Sequence, residues 1–414
     1  MNNTCTHISN ETSTHDSTKS GSKTSTKTNA VLTIPEPGKV ALKDLPYPKI
    51  IPGYVMVKVE IAPICIEHQV YKEHRMEWHS DCDHQGHEGV GTICEVTPGS
   101  KLKVGERVVM YQGDPCGECF VCQRGLSPTH CLDIPYEELT ETQDPNSILP
   151  SGELAQYTPG GLRVIEKKCG SESGGFGFVQ YRILQECMVQ KIPASLPFRY
   201  AALQNCSIGC TYSGVEDCGV KKDDWVVVAG VGFIGFGAII NAKYRGAKVI
   251  VLGRNEFRME QAKRMGADHI VNPDDEDWLE QIHALTGNLK GVDHVFEASG
   301  YPYYQKKALA ADRRFGNVWL YGFLVETNEA LPINLLDDIH NRGVHLSGNH
   351  DVHVKHREGL MKMMQNPQVQ YWSDHLITHE FNMSEGAKGF EAALSKQAGK
   401  IYLYPQENCP KWND

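Results

Sequence analysis

Four cysteines between residues 116 and 131 have a spacing that favours metal binding. Three of them recur at intervals of three residues and the fourth follows a short polar loop: Cys116, Cys119, Cys122 and Cys131. Four thiolates complete a tetrahedral zinc site and leave no position open for a substrate, so this set predicts a structural zinc ion. Disulfides are the alternative, which the absence of a recognisable secretory signal disfavours. His130, beside Cys131, stays open as the fourth ligand instead.

A second set of potential ligands is spread more widely along the chain. Cys65 is followed by the triplet Gly86-His87-Glu88, and one cysteine with one histidine is weak evidence alone. A catalytic zinc has three protein ligands and one open position. Cys206 and Cys210 each offer a third ligand, so the residues indicate a second zinc without choosing between these two thiols.

Length and composition limit the possible partners. The chain has 414 residues, 40% of them hydrophobic and 22% charged, which suits two globular domains. No apolar run reaches a membrane-spanning length, and the formal charge of −10 disfavours nucleic acid and anionic membranes as partners. We therefore expect a small-molecule partner. The fourteen cysteines are explained as ligands or buried thiols, which predicts a reducing, cytoplasmic location.

The N-terminal part of the chain divides at about residue 30. Residues 1–30 are rich in Ser, Thr, Asn and Lys and contain almost no apolar side chains, so they predict a disordered tail. From Val31, short β-rich runs broken by Pro and Gly predict a small, irregular β-rich domain that extends to residue 206. Cys65 ends one of these runs, and Gly86-His87-Glu88 opens another.

Residues 207–350 have a different pattern, in which apolar runs alternate with helical segments. This alternation predicts an α/β fold with a doubly wound parallel sheet and helices on both faces. The apolar runs are Trp225–Ala229, Lys248–Leu252, Val292–Glu297 and residues 317–321.

A glycine-rich turn joins the first of these runs to the helix that follows. Its sequence is Gly230-Val231-Gly232-Phe233-Ile234-Gly235. Glycines at this spacing allow a tight turn and let a pyrophosphate approach the backbone amides closely. Because the motif follows an apolar strand and opens a helix, it predicts a dinucleotide-binding loop.

The end of the second apolar run indicates which dinucleotide binds. NAD-binding folds place a carboxylate there for the ribose hydroxyls, whereas this chain has Gly253 and Arg254. Gly253 would leave space for a 2′-phosphate and Arg254 would pair with it, which favours NADP, with NAD as the alternative. Arg258 is a further candidate cofactor-binding residue. The competing interpretation makes Arg254 a solvated residue at the start of the next helix.

Several motifs, taken in chain order, resemble the zinc-dependent medium-chain alcohol dehydrogenases. They are Cys65, Gly86-His87-Glu88, the four-cysteine set, Gly174-Gly175-Phe176 and the glycine-rich turn, and the likeness runs from about residue 31 to residue 405. The resemblance implies a Rossmann dinucleotide-binding domain at 207–350. It also implies a GroES-like catalytic domain at 31–206, which carries the structural zinc lobe and is completed by 351–414. A homo-oligomer, either a dimer or a tetramer, is implied as well.

The same resemblance implies roles for the second set of ligands. Cys65, His87 and Cys206 match the catalytic zinc ligands of the family, and Glu88 matches its carboxylate beside the zinc. Cys210, one helical turn after Cys206, is then a packed thiol.

The chain departs from the family pattern just after Cys65. Glu67 and His68 stand where a Ser or Thr followed by Asp is usual, so the usual route for the alcohol proton is in doubt. We expect Glu67 or His68 to carry the proton, since either side chain exchanges protons near neutral pH once its surroundings shift its pKa.

These residues predict a hydride transfer between NADP(H) and a secondary alcohol, a polyol or the matching ketone, with zinc as the Lewis acid. One alternative is a reductase of an activated alkene or sugar-like carbonyl that does not use zinc. The other is a protein of the same fold that binds NADPH and has a binding or structural role.

The histidine-rich segment 340–356 is a further candidate for metal binding. No two of its histidines share a helical i, i+4 face with a third ligand in view. We therefore predict a strand and a turn near the cofactor, with exposed imidazoles.

Overall fold

A computed structural model describes residues 27–50, 52–73, 86–113, 115–132, 177–322, 333–349 and 351–410. The strands of these segments are β1 (Thr28–Glu36), β2 (Lys39–Pro46), β3 (Tyr54–Ile64), β4 (Gly89–Val96), β5 (Arg107–Met110), β6 (Tyr181–Gln185), β7 (Val189–Lys191), β8 (Trp225–Ala229), β9 (Lys248–Leu252), β10 (His269–Val271), β11 (Val292–Glu297), β12 (Asp312–Leu320), β13 (His345–Gly348), β14 (Ile377–Asn382) and β15 (Lys400–Tyr404). The α-helices are α1 (Glu67–Glu73), α2 (Phe120–Gln123), α3 (Phe198–Ala201), α4 (Ser207–Asp217), α5 (Phe233–Tyr244), α6 (Glu256–Arg264), α7 (Trp278–Thr286), α8 (Pro302–Ala311), α9 (Arg357–Met364), α10 (Pro367–Leu376) and α11 (Gly386–Leu394).

A mixed sheet forms around β3, a strand whose long apolar sequence is almost entirely buried. The strand order is β14-β15-β3-β4-β5-β7, with β6 also paired to β3. Because β3 and β4 are antiparallel and pair Ile61 with Val90, the end of β3 lies beside the start of β4. This pairing brings Cys65, just after β3, close to His87, just before β4. The pairing of β15 with β3 adds the C-terminal part of the chain to the same sheet.

A second sheet is entirely parallel and has the strand order β10-β9-β8-β11-β12-β13. The chain moves outward from β8 to β10 and then returns to the other side of β8, which is the Rossmann order predicted from the alternation of runs. Ligands of such sheets bind at the carboxyl ends of the strands where the order reverses. The reversal lies between β8 and β11, and the glycine-rich turn follows β8 directly.

The first strand begins earlier than the sequence predicts. β1 starts at Thr28, so the predicted tail at 1–30 is wrong for its last three residues, while residues 1–26 lie outside the described part of the chain. Asn29 explains the early start. Its buried side-chain amide donates to the carbonyl of Tyr181 at 2.8 Å and accepts from the Tyr181 N–H at 2.9 Å.

None of the helices in the described segments combines the length and apolar character that crossing a bilayer requires.

Candidate functional site

The second set of predicted ligands comes together at the edge of the mixed sheet. Cys65, His87, Glu88 and Cys206 each offer one ligand atom, and these four atoms lie within 4.8 Å of one another. Cys65 follows β3, the His87-Glu88 pair precedes β4, and Cys206 is the N-cap residue of α4. His87 and Cys65 are only partly buried, so one side of the group is accessible to solvent.

The two thiols of this group fit a zinc ion. The Sγ atoms of Cys65 and Cys206 are 3.6 Å apart. Two Zn–S bonds of about 2.3 Å at a tetrahedral angle separate their sulfurs by about 3.8 Å. The hydrogen bond with Cys206 and then burial raise the pKa of Cys65 well above its usual value. Thiolates in such surroundings require a nearby cation, which a metal ion supplies.

Glu67 holds His87 in position. Glu67 Oε1 lies 2.7 Å from His87 Nδ1, and Glu67 Oε2 accepts the Cys65 N–H at 2.8 Å. Burial opposes the charged form, but His87 lowers the pKa of Glu67 to about 2. A carboxylate bound to one imidazole nitrogen leaves the other nitrogen, His87 Nε2, for a metal. This contact differs from the predicted relay role of Glu67, because a buried, ionised and fully engaged carboxylate does not exchange protons near pH 7.

His68 lies between the ligand group and the glycine-rich turn. Its Nδ1 is in short contact with the carbonyl oxygen of Cys65, and its ring lies 5.9 Å from the ring of Phe233. Gln69 Nε2 lies 3.0 Å from His68 Nε2. Burial lowers the pKa of His68, so the imidazole is neutral near pH 7 and retains a basic nitrogen.

Lys400 is a site residue that the sequence did not reveal. It is fully buried at the start of β15, and its ammonium forms an ion pair with Glu88 Oε1. Burial alone would lower the pKa of Lys400, but the carboxylate of Glu88 raises it above its usual value. Lys400 Nζ is also 5.2 Å from the centre of the Phe233 ring. Glu88 Oε2 has no hydrogen-bond partner among the described residues, which suits a carboxylate beside a cation.

Replacement of Lys400 tests the cost of leaving this buried carboxylate unpaired. We expect Lys400→Met to lower the free energy of unfolding by about 3 to 5 kcal/mol, because the buried Glu88 then loses the cation that compensates its charge, and burial raises its pKa further towards the protonated form. Urea denaturation measures the change. The control is Lys388→Met, since Lys388 forms an exposed pair with Glu385 and should matter by less than about 1 kcal/mol. Equal stability of the two variants would contradict the assignment.

The four cysteines of the lobe between β5 and β6 form a second compact group. Their ligand atoms lie within 4.8 Å of one another. The sulfur of Cys122 is 3.9 Å from that of Cys116 and 3.7 Å from that of Cys131, and the sulfurs of Cys119 and Cys131 are 3.8 Å apart. These separations match the edges of a tetrahedron with Zn–S bonds of about 2.3 Å.

Backbone amides also favour thiolates in this lobe. The N–H groups of Cys119 and Glu118 donate to Cys116 Sγ at 3.3 and 3.4 Å. Burial raises the pKa of Cys119, but the backbone N–H groups of Cys122 and Leu132 outweigh it and lower the value to about 6. Burial raises the pKa of Cys122 instead, so Cys119 is the sulfur that these surroundings charge before a metal binds.

The geometry favours Cys131 over His130 as the fourth member of this group. Cys131 is buried and belongs to the set of four sulfurs, while the His130 ring is not part of that set. His130 Nδ1 lies 3.3 Å from Thr129 Oγ1 instead.

The glycine-rich turn is shaped to accept a phosphate group. Gly230 has a φ of +88°, which side-chain-bearing residues rarely adopt. A Cβ atom on Gly235 would lie 2.1 Å from the carbonyl oxygen of Gly230, so only glycine fits there. A Cβ on Gly232 would meet nothing within 4 Å, which leaves open space at the start of α5. Phe233 and Ile234 form the first turn of that helix, whose free N–H groups attract anions.

The three residues predicted to select the cofactor, Gly253, Arg254 and Arg258, differ in their exposure and contacts. The Arg254 side chain is 64% exposed and pairs with Asp274 at 2.7 Å. Arg258 is more deeply placed, and its Nε atom is buried without a hydrogen-bond partner among the described residues. A Cβ on Gly253 would lie 2.3 Å from the end of the Met259 side chain. The end of the Met259 side chain therefore lies beside Gly253, and it must turn away before a 2′-phosphate can occupy the space that the sequence predicts there.

The triplet Gly174-Gly175-Phe176 lies outside the described residues.

Comparison with known proteins identifies the same two parts of the chain. Residues 51–194 match the family model of the alcohol dehydrogenase GroES-like domain, and residues 234–365 match that of the zinc-binding dehydrogenases. The chain is 28% identical to the sorbitol dehydrogenase of Bacillus subtilis over 89% of this chain and 94% of that protein. It is 29% identical to an alcohol dehydrogenase of Geobacillus stearothermophilus over 74% of this chain and 80% of that protein.

A solved structure shows the same fold. The alcohol dehydrogenase TADH of Thermus sp. ATN1 superposes with a TM-score of 0.73 at 22% identity, over 91% of this chain and 99% of that one. The two family models together cover parts of both sheets and most of the residues that carry the ligand groups, and the family implies zinc and a nicotinamide cofactor. The chain belongs to the zinc-dependent medium-chain alcohol dehydrogenase family of oxidoreductases.

Proposed function

We propose that the protein transfers hydride between NADP(H) and a secondary alcohol or polyol, or the matching ketone, at a zinc ion held by Cys65, His87 and Cys206. One observation carries this proposal. The three ligand atoms lie together at the edge of the mixed sheet, and His68 and Lys400 link them to Phe233 in the dinucleotide turn. A substrate oxygen at the ligand group would therefore lie near a nicotinamide bound to the parallel sheet.

Glu67 and His68 would support the reaction at the zinc site in different ways. When bound, zinc supplies a Lewis acid for the substrate oxygen and the nicotinamide supplies or accepts the hydride. Glu67 keeps His87 in the tautomer that has a free Nε2. His68 Nδ1–H donates a hydrogen bond to the Cys65 carbonyl, and the Gln69 side-chain amide donates to His68 Nε2. Nε2 is therefore the atom of His68 that accepts the substrate proton, once the Gln69 amide turns away from it.

The choice of NADP rests on the charges near the end of β9. Residues 253–255 contain no carboxylate, and Arg254 is exposed. Asp274 pairs with Arg254 and also accepts a hydrogen bond from the Tyr303 hydroxyl at 2.6 Å, so Tyr303 can hold Asp274 in place when Arg254 turns toward a phosphate. A 2′-phosphate carries close to two negative charges and pairs well with a planar guanidinium.

Replacement of Arg254 tests the cofactor preference. We expect Arg254→Ala to weaken NADPH binding by about 1.5 to 3 kcal/mol, the contribution of a charged hydrogen bond, and to leave NADH binding nearly unchanged. Titration of cofactor fluorescence measures both affinities. Arg264→Ala is the matched control, since Arg264 is an exposed arginine of α6 that pairs with Glu260. Equal losses for NADPH and NADH would show that Arg254 does not contact the 2′-phosphate.

The substrate class follows from the relatives and from the ligand group. The matched proteins include a sorbitol dehydrogenase, an erythritol/L-threitol dehydrogenase and L-threonine 3-dehydrogenases, and their named substrates all carry a secondary hydroxyl group. The test is a panel of secondary alcohols, polyols and ketones assayed with NADP and NADPH. Turnover that persists without zinc would favour the zinc-independent reductase. NADPH binding without any turnover would favour a binding or structural role.

Assembly and location belong to the same proposal. The edge strand β13 exposes all four of its residues at the rim of the parallel sheet, which supports pairing with a second copy in a homo-oligomer. The many cysteines, which suit metal ligands and buried thiols, fit a reducing compartment, so we place the protein in the cytoplasm. Light scattering after gel filtration measures the oligomeric state.

A further inference from the structure

A third group of potential metal ligands lies apart from the two described above. Asp217, His353 and His356 each offer one ligand atom, and these atoms lie within 4.8 Å of one another. Asp217 is the last residue of α4, and the two histidines flank a short 3-10 helix before α9. The expectation that segment 340–356 has only exposed imidazoles is wrong for His353, which is 9% exposed. The third ligand was not visible in the sequence because Asp217 is more than 130 residues away.

The orientation of the His353 ring is fixed by a neighbouring amide. His353 Nε2 lies 2.8 Å from Asn349 Oδ1. The Asn349 Nδ2 group donates to the carbonyl of Asp351 at 2.9 Å, so the oxygen of that amide must face His353. His353 Nε2 therefore carries a proton and donates it to Asn349. In the neutral ring, Nδ1 then has a free lone pair.

The other nitrogen of His353 points into the group without a partner. Nδ1 is buried and makes no hydrogen bond, although Asp217 Oδ2 is only 2.9 Å away. A lone pair and a carboxylate oxygen at this distance repel each other unless a cation lies between or beside them. An imidazole whose second N–H is held by an amide oxygen is also the usual arrangement of a metal-binding histidine.

His356 completes the set on the other side of the carboxylate. Its Nε2 lies 2.8 Å from Asp217 Oδ1. The rings of His353 and His356 are nearly parallel, with an angle of 16° and centroids 5.8 Å apart. Two imidazoles and one carboxylate suit zinc, copper, nickel and iron, whereas Mg²⁺ and Ca²⁺ prefer oxygen ligands alone.

We propose that Asp217, His353 and His356 bind a third metal ion, a divalent first-row transition metal such as zinc. Lys355 is the competitor for this position, since its ammonium lies 2.7 Å from Asp217 Oδ1. The Lys355 side chain is 39% exposed and can turn into solvent when a metal binds. Because the ion must displace this ammonium, the site binds more weakly than the two cysteine-containing groups and fills only when zinc is supplied.

A metal here would connect three parts of the fold. The His353 N–H donates to Ser213 Oγ of α4 at 3.0 Å. On its other side, the Lys355 N–H donates to the carbonyl of Gly125, in the four-cysteine lobe, at 2.8 Å. The ion would tie the end of α4 to the segment that contacts this lobe. Since α4 begins at Cys206, the site would stabilise the helix that also carries a ligand of the proposed catalytic zinc.

Equilibrium dialysis of the full-length protein against buffered free zinc tests the proposal. We expect three zinc ions per chain in the wild type and two in His356→Gln at the same free zinc concentration. The matched control is His340→Gln, an exposed histidine of the same segment that lies outside the group, and it should bind three. Added zinc should also raise the thermal midpoint of the wild type and of His340→Gln but not that of His356→Gln.

Two results would overturn the proposal. One is a zinc content of two in all three proteins across the whole range, which would make the group an ion-pair cluster only. The other is an equal third zinc in the wild type and His356→Gln, which would place that ion elsewhere. If His356→Gln has lost zinc from the cysteine groups through misfolding, Asp217→Asn replaces it and must give the same loss of one ion.

Discussion

Cys206→Ser should remove nearly all turnover and release one zinc ion, while the four-cysteine lobe keeps its own. The Sγ of Cys206 lies 3.6 Å from that of Cys65, and serine is a much poorer ligand than a thiolate for zinc. Loss of a Lewis acid that contributes several kcal/mol lowers the rate by at least about a thousandfold. Steady-state assays together with metal analysis of the same sample measure both effects.

Cys210→Ser is the control for that experiment. Cys210 is buried one helical turn after Cys206, and its N–H donates to the Cys206 carbonyl at 2.7 Å. The Cys210 thiol is in hydrogen-bond contact with Cys206 but is not part of the group of ligand atoms. We expect this variant to retain most of its activity and its zinc. The opposite pattern, with Cys210→Ser inactive and Cys206→Ser active, would reassign the third ligand to Cys210.

Cys116→Ser should mainly lower the free energy of unfolding and affect turnover less. Within residues 115–132, the described part of the four-cysteine lobe, there is little secondary structure besides the four-residue helix α2 and the 3-10 turn Pro128–His130. We therefore expect the fold of the lobe to depend on the metal. Structural zinc supplies about 10 to 16 kcal/mol to zinc-finger peptides, and loss of a small part of this should lower the free energy of unfolding by at least about 3 kcal/mol.

Calorimetry and metal analysis measure this change. Cys187→Ser is the matched control, since Cys187 is an exposed cysteine outside both groups and should leave stability and zinc content unchanged. A Cys116→Ser protein that unfolds at the wild-type temperature and still holds its full zinc would show that the lobe does not depend on a structural ion.

The parallel sheet was predictable because its central strands are apolar and locally determined. β8, β9 and β11 have the bounds that their apolar runs predict, since each is buried between two layers of helices. The bounds of the other strands of this sheet were harder to predict from the sequence. β12 begins at Asp312 rather than at residue 317, because Asp312 pairs with Val292 of β11 ahead of an irregularity in the register, and regular pairing resumes at Asn317. β10 has three residues and β13 is exposed, so neither has a clear apolar signal.

The candidate site was predictable only where its chemistry is local in sequence. The spacing of the four cysteines and that of the glycines each predict a site directly. A zinc ion or a pyrophosphate requires its ligands at fixed distances, and residues close in sequence can supply them. Lys400 gives no such signal, since it meets Glu88 across 312 residues and its importance comes from burial. The sequence also did not reveal that Glu67 positions His87. Glu67 is the first residue of α1, and the position of this helix turns its carboxylate towards His87.

Zinc content and turnover measured on the same samples during graded zinc removal test the central claim most directly. Protein purified without added zinc should hold two zinc ions per chain. Turnover should fall in proportion as the ion at Cys65, His87 and Cys206, which has only three protein ligands in this account, is removed, and it should return when zinc is restored. Full turnover in protein whose only remaining zinc lies in the four-cysteine lobe would contradict the account.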